Sequence, residues 1–391
     1  FACSKRNKNT RGEEIVIYFD NAATTYPKPA SVLASAVLAL KKYSFNSGRG
    51  GYKESIRAGE MIYSVREKVA DMFGFEAQNV AFTKNCTEAL NMAIKGSVKQ
   101  GDHIIISSLE HNSVSRVAEK LADDGMIEYD IARYSYDDDE TVKNFENLIK
   151  SNTTVVVCMH SSNAFGVTFP VAKIGEMCKN HGIRFIVDGA QGAGVADINA
   201  KRDNIDILCA PGHKCLFGAM GTGFIAVKEG VQLSTIEEGG TGSNSMSLKQ
   251  PDFLPDRFES GTLNNSGIIS LGKGIDYINT YGTDAIYSHE LSLARHIYSA
   301  LDGIDGVKLY TPLPEKNKTM PIISFNFEDY SSEKTASILA KNNICTRAGF
   351  HCTPLAHKHF GTADRGTVRV SFGAFNTVYD CEALINVVKK L

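Results

Sequence analysis

The chain has 391 residues, enough for two domains or for one large α/β domain with a smaller companion. Hydrophobic residues make up 43% and charged ones 22%, ordinary for a globular protein, and the net charge of −2 gives no electrostatic case for nucleic acid or an anionic membrane. No apolar run approaches the roughly 20 residues that span a bilayer. The longest, SVLASAVLAL at 31–40, is followed by KKY and reads as a buried helix. Nine scattered cysteines without a Cys-x-x-Cys pair point to a reducing, cytoplasmic setting rather than a disulfide framework.

Residues 1–14 are polar and rich in basic side chains and read as a frayed arm; the chain opens FACSKRNKN, without methionine, which leaves room for residues upstream. From Ile15 onward IVIYF, NVAFT, HIIIS, TVVVCMH, IRFIVD, IDILCA and GFIAV have the length and apolar content of buried strands. Helical periodicity fills 54–72, 87–95, 112–123, 140–150 and 171–180. This alternation predicts a mainly parallel sheet with helices on both faces. Past Ser270 the pattern changes to a helix over 284–302, PIISFNF, a helix near 332–342, extended NICTRA, a loop rich in cysteine and histidine, TVRVSF and a last helix near 378–390. That order predicts a smaller α+β unit.

The strongest chemical signal is IRFIVDGAQ (183–191) followed by DILCAPGHK (206–214). Ligands of open parallel sheets sit beyond the carboxyl ends of the strands, where Asp188 and Lys214 fall. A lysine that can form a Schiff base and a carboxylate that can hold a pyridine nitrogen protonated together suit pyridoxal phosphate. Taken singly, Asp188 reads as a helix cap and Lys214 as a solvated amine. KNCTEALN (84–91) follows a strand and opens a helix, so its backbone N–H groups and the Thr87 hydroxyl suit a phosphate, with a helix cap as the plainer role for Thr87. His111 in SSLEHNS could stack on a flat ring or be a structural histidine. Asn163 in SSNAFG stands at another strand end, or in a turn.

YFDNAATT (18–25), TEALN (87–91), EHNS (110–113), SNAFG (162–166), VDGAQ (187–191), GHK (212–214), FESGT (258–262), RAGFHC (347–352) and GTVR (366–369) occur in this order. Together they resemble the class V aminotransferase family, in its cysteine desulfurase branch, from about Tyr18 to the C-terminus. The resemblance implies an α/β, fold-type-I pyridoxal-phosphate transferase: a mainly parallel seven-stranded sheet in a large domain over 24–280, with a small domain formed by 1–23 and 281–391. It implies that Lys214 carries the cofactor, Asp188 pairs with its ring nitrogen, Gln191 bonds its phenolate oxygen and His111 stacks on the ring. Thr87 and His213 would hold the phosphate, Cys86 would lie in the same turn and contribute its backbone, and Thr262 would reach in from the second subunit of a homodimer. Asn163 and Arg369 would fix the substrate carboxylate, a task for which a guanidinium is apt. This chain departs from the family pattern at Asn85-Cys86, Pro211, Tyr52 and EGGTGSNS (238–245).

RAGFHCTPLAHKH (347–359) raises a choice between a metal site and a nucleophile. Its ligands would all come from one flexible loop, whereas structural zinc sites draw on two rigid places. The resemblance makes Cys352 the sulfur-accepting nucleophile, on a mobile loop where His351 or Lys214 is near enough to lower the thiol pKa; His357 and His359 read as solvated loop residues. No metal is expected. The short spacing from Cys352 to Arg369 resembles the short-loop desulfurases, which implies slow turnover of free L-cysteine assisted by a sulfur-acceptor protein. Selenocysteine lyase shares these residues and would act on L-selenocysteine. An aminotransferase or epimerase would leave Cys352 idle, and a non-enzymatic metal or persulfide carrier is the reading from outside this class.

Overall fold

The computed structural model describes residues 16–48 and 50–391; the arm expected over 1–14 lies outside them. In chain order the elements are β1 (Ile17–Tyr18), α1 (Ala30–Lys42), α2 (Lys53–Phe73), β2 (Val80–Thr83), α3 (Cys86–Ser97) and β3 (Asp102–Ser107). They continue with α4 (Asn112–Asp123), β4 (Ile127–Ala132), α5 (Asp138–Glu146), β5 (Thr153–Met159), α6 (Val171–Asn180) and β6 (Arg184–Asp188). Next come β7 (Ile207–Pro211), β8 (Gly223–Val227), α7 (Asn265–Tyr281) and α8 (Thr283–Asp302). The remainder is β9 (Val307–Leu309), β10 (Ile322–Phe327), α9 (Ser332–Lys341), β11 (Ile344–Cys345), β12 (Arg347–Gly349), α10 (Pro354–His359), β13 (Thr367–Ser371) and α11 (Val378–Val388).

Seven strands form the large sheet in the order β2-β8-β7-β6-β5-β3-β4, and β8 runs antiparallel to both its neighbours while the rest pair in parallel. The strands are apolar without interruption because both faces are covered. Ile104, Ile106, Val155, Val157 and Ile186 join one core with α3 and α4, while Ile105, Val156 and Leu208 join the other with α2, α6 and α7. Each such isoleucine, at 0% exposure, contributes about 1.5–3 kcal/mol of burial. A third core, with Phe19, Ile297, Phe325, Val368 and Leu384, lies between α8, α11 and the antiparallel sheet β12-β13-β10-β9.

Two expectations need correction. IVIYF does not enter the large sheet; β1 is two residues long and pairs with β11 beside the smaller sheet. The seventh large-sheet strand is instead β4, IEYDIA, an edge strand with polar residues at its half-exposed positions. Nor is α1 a buried helix. It buries Val32, Ser35 and Ala39 but leaves Leu33 57% and Leu40 64% exposed. The helix α7 was not anticipated, since its glycines lower helical propensity; they admit close packing, and a Cβ at Gly274 would stand 1.9 Å from the Leu216 carbonyl oxygen. Because α7 packs on α1 and α2 while α8 packs on β9, β10 and α11, we propose that the domains divide at 280/281, beside Gly282. Among the described residues, no helix is long and apolar enough to cross a membrane.

Candidate active site

The carboxyl ends of β2, β3, β5, β6 and β7 surround a cavity of about 190 Å³, at the point where strand order reverses between β3 and β5. Its lining brings together Cys86, Thr87, His111, Asn163, Asp188, Gln191, His213 and Lys214. A larger cleft of about 780 Å³ includes His160, Lys173, Arg202 and Lys316. Its cations are already paired, Lys173 with Asp139, Arg202 with Asp197 and Asp203, and Lys316 with Asp284.

Asp188 ends β6, and Lys214 follows β7, the next strand of the sheet. Two donors converge on one carboxylate oxygen: the Ala190 amide donates to Oδ1 at 2.9 Å and the Cys86 thiol at 3.4 Å. Among the described residues no hydrogen bond reaches Oδ2 or the Lys214 amine. Burial pushes the Asp188 carboxyl up and the Lys214 amine down, and their mutual attraction opposes both shifts. Cys86 therefore serves the carboxylate with its side chain, in addition to standing first in α3. Glu110, absent from the expected set, is wholly buried within electrostatic reach of Asp188. Its Oε1 accepts from the Ser107 hydroxyl at 2.6 Å and the Met159 amide at 2.8 Å, tying the ends of β3 and β5 together. Burial pushes its carboxyl up to about 8, so it is neutral at pH 7.

Thr87 does not cap its helix. Asn85 does, accepting from the Glu88 amide at 2.9 Å, and this leaves the Thr87 hydroxyl to meet Ser113 Oγ at 2.7 Å. Ser113 Oγ in turn stands 2.9 Å from His111 Nδ1. The Ser113 amide donates to that same Nδ1 at 3.1 Å, so the neutral ring carries its proton on Nε2. Burial, then the charges of Lys214 and Arg347, bring His111 down to about 4. His213 Nδ1 lies 3.1 Å from the Thr24 hydroxyl, and Gln191 donates from Nε2 to the Ala22 carbonyl at 3.0 Å.

Cys352 is the exposed member of the eight described cysteines, all of which are free. Its loop is not a free flap. The Cys352 carbonyl accepts from the Asn112 amide at 2.8 Å, the His351 carbonyl accepts from Asn163 Nδ2 at 2.8 Å, and the Thr353 hydroxyl donates to the Leu109 carbonyl at 3.0 Å. His351 and Cys352 both hold positive φ, 48° and 58°. The charge nearest the thiol is neither His351 nor Lys214. Arg347 Nη2 stands 3.8 Å from Sγ, whereas His351 turns its Nε2 to the Thr367 carbonyl at 3.1 Å and is pushed down to about 2 by burial.

The histidines assigned to solvent need the same correction. His357 is 0% exposed, with Nδ1 2.7 Å from the Thr362 hydroxyl, and His359 is half-buried against Tyr134 and Phe360. Among the described residues no group of three or more metal-ligating side chains is placed to hold an ion. Arg369, 1% exposed, crosses from β13 to the large sheet. It donates to the Asn163 carbonyl at 2.9 Å and to Asp20 Oδ1 at 2.5 Å. Its Nε and the Asn163 Oδ1 are buried and without a partner, an open donor and an open acceptor. Thr262 is exposed and lines no part of this cavity. Pro211 lines the cavity wall, and Tyr52 is 51% exposed as the residue before α2.

This donor set fits pyridoxal phosphate: a carboxylate with one open oxygen, a primary amine, two hydroxyls and the Cys86 and Thr87 amides at the start of α3, which the Asn85 cap leaves open. The sequence as a whole agrees. The chain belongs to the aminotransferase class-V family, whose model matches residues 17–384. Within it the chain is similar to probable cysteine desulfurases from Methanothermobacter thermautotrophicus, at 31% identity over 379 residues covering 94% of this chain and 92% of the relative, and from Pyrococcus abyssi, at 32% over 387 residues covering 96% and 94%. An apo structure of a cysteine desulfurase from Thermococcus onnurineus NA1 has a TM-score of 0.85 and 31% identity, covering 96% of this chain and 94% of that one. The architecture is that of a fold-type-I pyridoxal-phosphate enzyme, as the motifs implied.

His357 offers a test of the buried loop histidines. Burial brings its ring from an ordinary 6.5 to about 4. Between those values the unfolded chain takes up a proton that the folded ring refuses, so folded-state stability is lost as pH falls through that window. His357→Gln removes this dependence. In chemical denaturation, the advantage of the wild type over the variant should shrink by about 2 kcal/mol between about pH 7 and pH 5. An advantage independent of pH would mean that the ring is solvated.

Proposed function

We propose that this chain is a pyridoxal-phosphate-dependent cysteine desulfurase, converting L-cysteine to L-alanine and leaving the sulfur on Cys352. The observation that carries the reading is the placement of an exposed thiol on a turn tied to both cavity walls, through Asn163 after β5 and Asn112 after β3. The bound cofactor supplies an electron sink for charge developing at the substrate α-carbon.

The residues divide the work. Lys214 would hold the cofactor covalently and, when free of it, would be the base at the α-carbon; burial lowers its basicity, which favours that role. Asp188, with Oδ1 fixed by two donors, would offer Oδ2 to the cofactor's ring nitrogen and favour a proton there. Thr87, Ser113, His213 and the Cys86 and Thr87 amides would hold the phosphate. His111, with its Nε2 proton available, would lie against the cofactor ring, and Gln191 would have a second amide proton for the phenolate oxygen. The open Nε of Arg369 takes the substrate carboxylate, and Asn163 orients both Arg369 and the Cys352 turn. The Cys352 thiolate, beside Arg347, attacks the substrate sulfur. A sulfur–sulfur bond forms, the carbon–sulfur bond breaks, and proton return to carbon completes alanine.

Cys352→Ala should retain the cofactor and its colour but lower alanine release from L-cysteine by orders of magnitude. With L-selenocysteine, whose selenium leaves more readily, the same variant should keep much of its activity. Full alanine release from L-cysteine by Cys352→Ala would sink the assignment.

We further propose a homodimer in which Thr262, exposed in one chain, completes the phosphate site of its partner. Lys214→Ala and Thr262→Ala proteins, each impaired alone, should regain activity when their subunits are mixed and exchanged. A mixed population no better than its parents would rule the sharing out.

A further inference from the structure

The strands β3 and β5 part where the cavity opens. Their parallel ladder ends at the Ile106–Val157 pair. Beyond it Ser107 stays with Ala132 of β4, and Met159 stays with Asp188 of β6. Backbone groups on the two facing edges then lose their strand partners. The His160 amide turns toward β6 and bonds the Asp188 carbonyl at 2.8 Å, so the Met159 amide, one residue earlier, turns toward β3. The Glu110 carboxyl fills this gap. Its Oε1 accepts from the Met159 amide at 2.8 Å and the Ser107 hydroxyl at 2.6 Å, in place of the missing ladder. Its Oε2 is buried and has no partner. Among the described residues no cation pairs with this carboxyl; the titratable groups that act on it are Asp188, ending β6, and Cys158, in β5. Ionisation would set an unpaired charge in the interior near a second carboxylate, which burial opposes. The same segment meets the Cys352 turn through its backbone. The Thr353 hydroxyl donates to the Leu109 and Glu110 carbonyls at 3.0 and 3.2 Å, and the Asn112 amide donates to the Cys352 carbonyl. On the β5 side Asn163 holds the His351 carbonyl. The width of the gap between β3 and β5 therefore sets where the Cys352 turn sits over the cavity.

We infer that Glu110 is a positioning residue for the step in which Cys352 takes the substrate sulfur: its protonated carboxyl spans the parting of β3 and β5 and so fixes the Cys352 turn against the cavity. The inference rests on the desulfurase reading. In that step the Cys352 thiolate forms the sulfur–sulfur bond, the carbon–sulfur bond breaks, and its electron pair leaves with the β-carbon, which then takes a proton. Glu110 does not line the cavity, so it acts through the walls rather than on substrate or cofactor. A neutral amide of the same shape can replace it, since glutamine offers a carbonyl oxygen to both donors. A leucine of similar volume cannot, and leaves the Met159 amide and Ser107 hydroxyl unpaired. The carboxyl rises from its ordinary 4.5 to about 8, so moving from pH 7 to pH 9 takes it from mostly protonated to about one part in ten.

The test gives the cofactor-loaded protein L-cysteine for a single turnover and reads sulfur on Cys352 by mass spectrometry; without substrate, hydrogen exchange reads the Asn112 amide. Glu110→Gln should match the wild type within about two-fold at pH 7 in both measurements. At pH 9 the wild type should deliver sulfur about ten-fold more slowly than Glu110→Gln, the fold-change given by one pH unit above the carboxyl's midpoint. Glu110→Leu should lose about a hundred-fold in delivery, the scale of a misplaced reacting group. Its Asn112 amide should exchange about ten-fold faster, as the Cys352 turn loosens. Alanine release from L-selenocysteine by the same variant should stay within about two-fold of the wild type, because that leaving group needs less help from Cys352. An equal alkaline loss in wild type and Glu110→Gln, wild-type Asn112 exchange in Glu110→Leu, or an equal loss on the two substrates would each overturn the proposal. The glutamine comparison stands even where the leucine variant does not fold. Absence of sulfur on Cys352 in the wild type would instead remove the desulfurase reading, while Asn112 exchange decides the role of Glu110 independently.

Discussion

The active cavity depends on burying a carboxylate and an amine at the ends of neighbouring strands. Either charge alone would be costly in the interior, and burial does push Asp188 and Lys214 toward their neutral forms. Each offsets part of the cost of the other, and the Ala190 amide and Cys86 thiol anchor one carboxylate oxygen. The parallel sheet makes this possible, since the register of β6 against β7 sets both strand ends on one edge. What remains open is one carboxylate oxygen and one amine, a preorganised polar pair that a pyridine ring carrying an aldehyde can satisfy.

The same economy joins the two sheets. Arg369 is buried on a strand of the small sheet, yet its guanidinium reaches across the boundary to the Asn163 carbonyl while Asp20, bridged to the same sheet, holds its other end. The Cys352 turn makes the reciprocal link, with backbone and hydroxyl bonds to Asn112, Asn163 and Leu109. Its main chain is therefore fixed, and the reach of the thiol between substrate and acceptor falls to rotation of the side chain. Buried Glu110 holds together the two strand ends that carry these contacts. Positive φ at two non-glycine residues shows how strongly the surroundings determine that turn.

Much of this was legible in the sequence because the chemistry is local to strand ends. Asp188, Lys214, His111 and Asn163 each follow an apolar run, and runs covered on both faces are the clearest strand signal. The strand β4 was missed because an edge strand keeps polar residues, and α7 because its glycines serve packing against the Leu216 turn. Composition alone makes amphipathic α1 read as buried, although its leucines lie on the outward side. At the site, the errors concern contacts between segments distant in sequence. That Cys86 serves Asp188, that Arg347 rather than His351 meets the thiol, and that His357 is buried under Thr362 are tertiary facts without a periodic signature. Arg347 was within reach, since it stands in the quoted RAGFHC motif, two positions past β11 on a strand that pairs it with Arg369.

The central claim is that the sulfur passes through Cys352, the exposed thiol among the described cysteines. The direct measurement is mass spectrometry of the cofactor-loaded protein after brief exposure to L-cysteine, alkylation and proteolysis. The account predicts one additional sulfur atom on the peptide containing Cys352, with the buried cysteines unmodified. Sulfur found on Cys86, Cys215 or Cys345 instead, or stoichiometric alanine with no enzyme-bound sulfur at any time point, would contradict it.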